Sequence, residues 1–186
     1  MEDVVKKRLL EYLGRVRRYM PFFEWPDRRR KELGILKYLL ESMEKDGIRE
    51  YLSPLSASED PPDCLARDLQ DNLVGFEITE LVSAYAIREN QRSNAIYRDW
   101  DAPEVLAHTE YLLRAKDAKV FHGGPYSKRI TVIFTDEITI PVAQYQPLLS
   151  SHRFTSLPNT DEAYFLFPYD GTDRCPYVRL AVSKSA

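Results

Sequence analysis

The chain has 186 residues, a length that suits one domain with a normal hydrophobic core. Hydrophobic residues make up 44% and charged residues 30% of it, which predicts a globular protein and excludes a low-complexity chain. No apolar run approaches the length of a membrane span, about 18 residues, so no membrane partner is expected. Two cysteines, Cys64 and Cys175, exclude a disulfide framework and a zinc cluster; both fall in predicted strands, as small buried hydrophobes.

The net charge of −3 is unevenly distributed along the chain. Residues 1–31 hold ten Lys/Arg and five Asp/Glu, so a basic region precedes an acidic body. This distribution is compatible with a polyanionic partner and also with a solvated helix face. The apolar residues of the N-terminus are interrupted by charges, unlike a secretory signal, and the free cysteines suit a reducing compartment. We therefore expect a cytoplasmic protein.

The first predicted elements are helical. Residues 3–20 repeat apolar groups at helical spacing and predict an amphipathic helix. The proline-flanked aromatic segment PFFEWP (21–26) predicts a rigid connector, which could pack on the body or stack on bases. A second helix is predicted from about Arg28 to Lys45, with Gly47 ending it.

Three extended segments and a third helix follow. REYLSPLS (49–56) is predicted to be extended, and CLAR (64–67) and LVGFEITEL (73–81) are predicted to pair as a hairpin around the turn DLQDN. The next helix is predicted at 103–119, opened by a capping box of Asp101 and Glu104. Its apolar stripe is predicted to run on to Val120.

The C-terminal third is predicted to complete a sheet. RITVIFT (129–135) is apolar on both faces, as a central strand is. A short helix is predicted in 141–154, and strands AYFLFPY (163–169) and PYVRLAV (176–182) form a closing hairpin with Asp170-Gly171 in the turn. The order of elements predicts a single α/β domain of residues 1–186, with a mixed central sheet flanked by helices.

Two carboxylates are predicted to meet at one end of the hairpin. Side chains alternate along a strand, so Val74, Phe76 and Ile78 face the core while Glu77 and Thr79 share the opposite face. Pairing of the two strands brings Asp63 near the level of Glu77. Such a pair either raises one pKa by repulsion or binds a hard cation. Alternatively, Asp63 is an ordinary turn residue. Glu77 likewise needs no partner if its strand lies at the edge of the sheet with one face exposed to solvent.

Helix phase directs further charges toward the same region. Glu32 falls near the centre of the apolar stripe of helix 28–45, and Lys116 near that of helix 103–119, with Lys119 at the edge. The positive charge of Lys116, directed inward from one helix, would balance the negative charge of acids that point into the same region from other elements. Alternatively, Glu32 only stabilises the N-terminus of its helix through the helix dipole. Lys116 could likewise extend past the core so that its ammonium group is in water.

The pattern Pro62-Asp63 followed by Glu77-Ile78-Thr79 on the next strand resembles the PD-(D/E)XK nuclease superfamily. The inward Glu32 on the preceding helix and the following strand–helix–strand order add to the resemblance, which covers residues 28–135 as a nuclease-like core. It implies a restriction-endonuclease-like fold, with residues 1–26 as an N-terminal addition and 136–186 as a C-terminal helix and hairpin.

The resemblance also implies a magnesium (or manganese) site. Asp63, Glu77 and the backbone carbonyl of Ile78 are its implied metal ligands, and Glu32 is implied to support the site. A catalytic lysine is expected where this chain has Thr79. Some members of the superfamily carry that lysine on the following helix, which Lys116 resembles, with Lys119 as second choice.

These residues predict a metal-dependent nuclease-like hydrolase of phosphodiester bonds in nucleic acid. The alternative is a catalytically inert module of the same fold that binds nucleic acid or a protein partner, since Thr79 cannot carry the charge of a lysine. A third hypothesis is a regulatory protein that binds a protein partner or a second copy of itself. The sequence leaves open whether the chain is an enzyme, and whether DNA or RNA is the substrate.

Overall fold

The elements of the protein are defined by a computed structural model, which describes residues 27–83, 99–137, 139–168 and 174–184. The predicted helix 3–20, the connector 21–26 and the turn at Asp170-Gly171 lie outside these residues. In chain order, the elements are α1 (Arg28–Lys45), β1 (Tyr51–Ser56), β2 (Cys64–Asp68), β3 (Leu73–Leu81), α2 (Ala102–Asp117), β4 (Lys128–Thr135), α3 (Val142–Ser151), β5 (Glu162–Leu166) and β6 (Tyr177–Arg179).

The six strands form one mixed sheet in the order β1-β2-β3-β4-β5-β6. The central strands β3, β4 and β5 are parallel, and the remaining neighbours are antiparallel. α1 covers one face of the sheet, while α2 and α3 cover the other. The predicted fold class, a single α/β domain with a mixed sheet flanked by helices, is confirmed. No helix in the described ranges is long and apolar enough to cross a membrane.

The first described helix, α1, has the predicted bounds because both ends are capped. The carboxylate of Asp27 accepts a hydrogen bond from the backbone N–H of Arg29 and begins the helix. Leu36 and Leu39 are buried against the sheet, as the periodicity predicts. The chain leaves the helix at Gly47, whose φ of +79° is a conformation that glycine adopts without strain.

The crossover helix α2 begins with the predicted capping box, in which Asp101 and Glu104 each accept from the other's backbone N–H. Its apolar side packs on the sheet beside α3. The prediction that this stripe extends to Val120 is wrong. α2 ends at Asp117, and Val120 follows in an exposed loop.

The C-terminal elements follow the prediction with one correction. β4 lies between β3 and β5 and is buried over most of its length, as its apolar sequence predicts. β5 and β6 pair antiparallel and form the predicted closing ribbon. Cys64 is a buried residue of β2, but the placement of Cys175 in a strand is wrong, because β6 begins only at Tyr177. Cys175 is buried by packing against the α1 side of the sheet.

Close packing over Gly75 leads to a first prediction. A Cβ added at Gly75 would lie 2.6 Å from the ring of Phe121, and the guanidinium of Arg129 lies over this ring at 4.2 Å from its centroid. We therefore expect Gly75→Ala to lower the free energy of unfolding by about 2 kcal/mol, measured by urea denaturation. In a Phe121→Ala background the same change should cost less than about 1 kcal/mol. Equal costs in both backgrounds would contradict this account.

Candidate metal centre

The candidate site lies where the antiparallel pairing of β2 and β3 ends. Cys64 pairs with Phe76, and the backbone N–H of Asp63 donates to the carbonyl of Phe76 at 3.0 Å. Asp63 therefore lies at the level of Glu77 on the neighbouring strand. The predicted register of the hairpin is confirmed, and it brings the two carboxylates together.

Strand alternation separates this site from the core on the α1 side of the sheet. Val74, Phe76 and Ile78 are buried under α1, as predicted. Glu77 faces the side covered by α2, and it is 1% exposed. Thr79 lies on the same face as Glu77 and is half-buried. A buried carboxylate among apolar neighbours requires compensation by positive charge or hydrogen bonds.

The carboxylate of Asp63 is held by three elements. Its Oδ2 accepts a hydrogen bond from the backbone N–H of Ile78 at 2.7 Å and another from Lys116 Nζ at 3.2 Å. Its Oδ1 accepts from Arg28 Nη2 at 3.2 Å. Ile78 thus contacts Asp63 through its N–H, whereas the resemblance implied a role for its carbonyl. The Asp63 side chain is fully buried, so its position is fixed by these contacts.

Two lysines converge on one oxygen of Glu77. Lys116 Nζ and Lys119 Nζ each lie 2.7 Å from Glu77 Oε2. The Lys116 side chain is 10% exposed and that of Lys119 is 32% exposed. Partial burial acts to lower the pKa of Lys119, but the hydrogen bond and charge of Glu77 raise it above its ordinary value. The other oxygen, Glu77 Oε1, is buried and has no hydrogen-bond partner among the described residues.

A third carboxylate, Asp60, was not predicted from the sequence. Asp60, Asp63 and Glu77 each offer one oxygen, and these three oxygens lie within 4.8 Å of one another. The Asp60 side chain is 48% exposed, and Lys119 Nζ approaches it at 3.9 Å. The loop that carries it is held by a hydrogen bond from the backbone N–H of His122 to the carbonyl of Pro61, at 2.8 Å.

Glu32 lies beside the three carboxylates, and Arg28 links it to Asp63. It is buried on α1, as predicted, and Arg28 Nε donates to its Oε1 at 2.6 Å. Burial raises the pKa of Glu32, the hydrogen bond from Arg28 opposes this rise, and the charge of Asp63 adds to it. Arg28 in turn bonds to Asp63, so the structure brings Glu32 to the edge of the site.

The donor set suits a hard divalent cation. Carboxylate oxygens are the ligands that magnesium, manganese and calcium prefer. Asp60, Asp63 and Glu77 form a group that could hold a metal ion. The buried Oε1 of Glu77, which has no hydrogen-bond partner in the described part of the chain, is a second feature that points to a cation, because a buried oxygen without a partner costs free energy.

Comparison of the chain with known proteins gives no match to a family model, to a curated protein or to a solved structure.

Proposed function

We propose that the protein is a metal-dependent hydrolase of phosphodiester bonds in nucleic acid, similar to PD-(D/E)XK nucleases. The observation that carries this proposal is the convergence of oxygens from Asp60, Asp63 and Glu77 within 4.8 Å, with the ammonium groups of Lys116 and Lys119 beside them. Acidic metal ligands next to a lysine are the groups that phosphodiester hydrolysis needs. The order of a helix, three strands, a helix and a strand, α1 to β4, supports the resemblance.

Each group has a chemical task in this proposal. Asp60, Asp63 and Glu77 would hold magnesium or manganese, which when bound polarises the phosphate and lowers the pKa of a water. Lys116 or Lys119 would stabilise the negative charge that develops on the phosphate, in place of the lysine that Thr79 replaces. Lys119 is the more accessible of the two, whereas Lys116 contacts both Asp63 and Glu77.

The proposal is tested by cleavage of DNA and RNA with Mg²⁺ or Mn²⁺. We expect Glu77→Gln, which keeps the size of the side chain but removes its charge, to reduce cleavage by about 100-fold or more. Glu80→Gln is the matched control, since Glu80 lies on the opposite face of the same strand, near Lys31, Asp136 and Glu137. Absence of cleavage by the unmodified protein, or equal loss in both variants, would contradict the proposal.

A second candidate function is binding without catalysis. The observation that favours it is Thr79 at the position where the resemblance expects lysine, together with the engagement of both nearby lysines by Glu77. An inert module would bind nucleic acid with an affinity that falls steeply with salt and would not cleave it. Capture of one stoichiometric protein partner, without nucleic-acid binding, would favour a regulatory role.

A further inference from the structure

We propose that Arg28 exchanges partners at this site. Its guanidinium competes with a divalent cation for Asp60 and Asp63, and it binds a phosphate of the substrate once the cation has displaced it. This inference rests on the proposed function, because it assigns Arg28 a task in the same metal centre.

The first support is the set of oxygens that Arg28 contacts. Arg28 Nη2 lies 3.2 Å from Asp63 Oδ1 and 3.6 Å from Asp60 Oδ2, while its Nε donates to Glu32 Oε1 at 2.6 Å. Two of these three acids belong to the group that could hold a metal ion. Arg28 and a bound metal ion would both be attracted to Asp60 and Asp63 and would repel each other, so the two cations compete for these carboxylates.

The second support is that Arg28 is the partner of Asp63 that leaves most easily. The N–H of Ile78 is part of the β3 backbone, and the ammonium of Lys116 is held between two buried acids and is 10% exposed. The Arg28 side chain is 63% exposed, and ion pairs of exposed side chains contribute little free energy. A cation that approaches Asp63 therefore displaces Arg28 first.

The third support is that the guanidinium of Arg28 stays beside the site after its displacement from Asp63. The bond from Arg28 Nε to Glu32 links the guanidinium to α1 beside the site, and the Arg28 side chain is 63% exposed, so a phosphate can reach it from solvent. The guanidinium of an arginine is always charged in proteins. A planar guanidinium binds two phosphate oxygens at once, which a lysine cannot do. The ligand class assigned to Arg28 is thus the phosphodiester group of a nucleic acid.

The first test is Mn²⁺ binding by calorimetry in the absence of substrate. We expect Arg28→Ala to bind Mn²⁺ about tenfold more tightly than the unmodified protein, because a competing positive charge is removed. Arg30→Ala is the matched control: it removes the same charge from the same helix, but Arg30 contacts Asp27 at 3.9 Å. Its exposed charge is screened, so its effect should stay below about twofold.

The second test measures the phosphate contact. Binding of a fluorescein-labelled DNA oligonucleotide is followed by anisotropy with Ca²⁺, which takes the same oxygen ligands. We expect Arg28→Ala to weaken DNA binding about tenfold and Arg30→Ala to weaken it less. Tighter metal binding combined with weaker DNA binding is a pair of opposite changes that a purely structural role of Arg28 does not produce.

The outcomes separate this inference from the proposed function. Unchanged or weaker Mn²⁺ affinity in Arg28→Ala, with binding abolished in Asp63→Ala, would overturn the inference and leave the metal centre intact. Tighter Mn²⁺ binding without loss of DNA affinity would overturn the phosphate contact. Absence of Mn²⁺ binding in every variant and in the unmodified protein would overturn the metal centre and the inference together.

Discussion

Replacing Lys116 by methionine is expected to lower the free energy of unfolding by about 3 kcal/mol. The side chains of Asp63 and Glu77 are 0% and 1% exposed, and Lys116 is the one cation in the described part of the chain that hydrogen-bonds to both. Its removal leaves two buried carboxylates close together with less compensating charge. Urea denaturation of both proteins in the absence of divalent ions measures the loss.

Lys119→Met provides the matched control for this prediction. Lys119 also contacts Glu77, but it is 32% exposed and approaches no closer than 3.9 Å to its second acid, Asp60. We expect its removal to cost only about 1 kcal/mol. Saturating Mn²⁺ should restore most of the stability of Lys116→Met, because a bound cation replaces the lost positive charge. Equal costs for both lysines, or no effect of Mn²⁺, would contradict this assignment.

A second large effect is expected at Glu162, the first residue of β5. This buried carboxylate accepts hydrogen bonds from Tyr51 at 2.9 Å and Tyr164 at 2.7 Å, and Lys128 and Arg179 form ion pairs with it. Burial acts to raise its pKa, but the bonds from Lys128, Tyr164 and Tyr51 hold the pKa of Glu162 below its ordinary value. The group joins β1, β4 and β6 to β5 on the α1 side of the sheet.

We expect Glu162→Ala to lower the free energy of unfolding by about 3 kcal/mol at pH 7, since it leaves Lys128 and two tyrosine hydroxyls without their acceptor. Because the pKa of Glu162 is lower in the folded protein, its stabilisation is complete above the unfolded pKa of about 4.5 and is lost as the pH falls through the folded pKa. The cost of Glu162→Ala should therefore shrink toward pH 3, in urea denaturation at several pH values.

Tyr164→Phe is the control at this position, because it removes a single hydrogen bond to Glu162 and keeps the ring. It should cost about 1 kcal/mol, with little change between pH 7 and pH 4. A cost of Glu162→Ala that stays constant with pH would show that the carboxylate acts by packing alone.

Strand alternation and the buried faces of the helices were predicted correctly from sequence, apart from the extension of the α2 stripe to Val120. Side chains alternate between the two faces of a strand, and the antiparallel pairing of β2 with β3 places Asp63 opposite Glu77. Helix phase directed Glu32 and Lys116 toward the sheet, and both are buried or nearly so. Local rules therefore suffice where a regular backbone orients the side chain.

Two members of the site lie outside the regular elements. Asp60 lies in a loop, and Lys119, which was predicted at the edge of the stripe of helix 103–119, follows the end of α2. Arg28 is the first residue of α1, one turn before Glu32 on the same face, and its long side chain reaches Asp63. One available clue was the position of Asp60 immediately before Pro61-Pro62-Asp63, in the same turn as a predicted ligand.

Glu162 was missed for a different reason. The strand predicted from sequence begins at Ala163, whereas β5 begins one residue earlier, at Glu162. Its partners Tyr51, Lys128 and Arg179 come from three other strands, and their convergence depends on the order of strands in the sheet. That order is a tertiary property which no local pattern contains.

The most direct test of the metal centre is calorimetric titration of the purified protein with Mn²⁺ and Mg²⁺, beside the double variant Asp63→Ala/Glu77→Ala. The account predicts saturable binding to the unmodified protein and its loss in the double variant, because two of the three converging oxygens are removed. Circular dichroism of the double variant would show that its fold is retained. Absence of binding to the unmodified protein, or equal binding to the folded double variant, would contradict a metal site between these carboxylates.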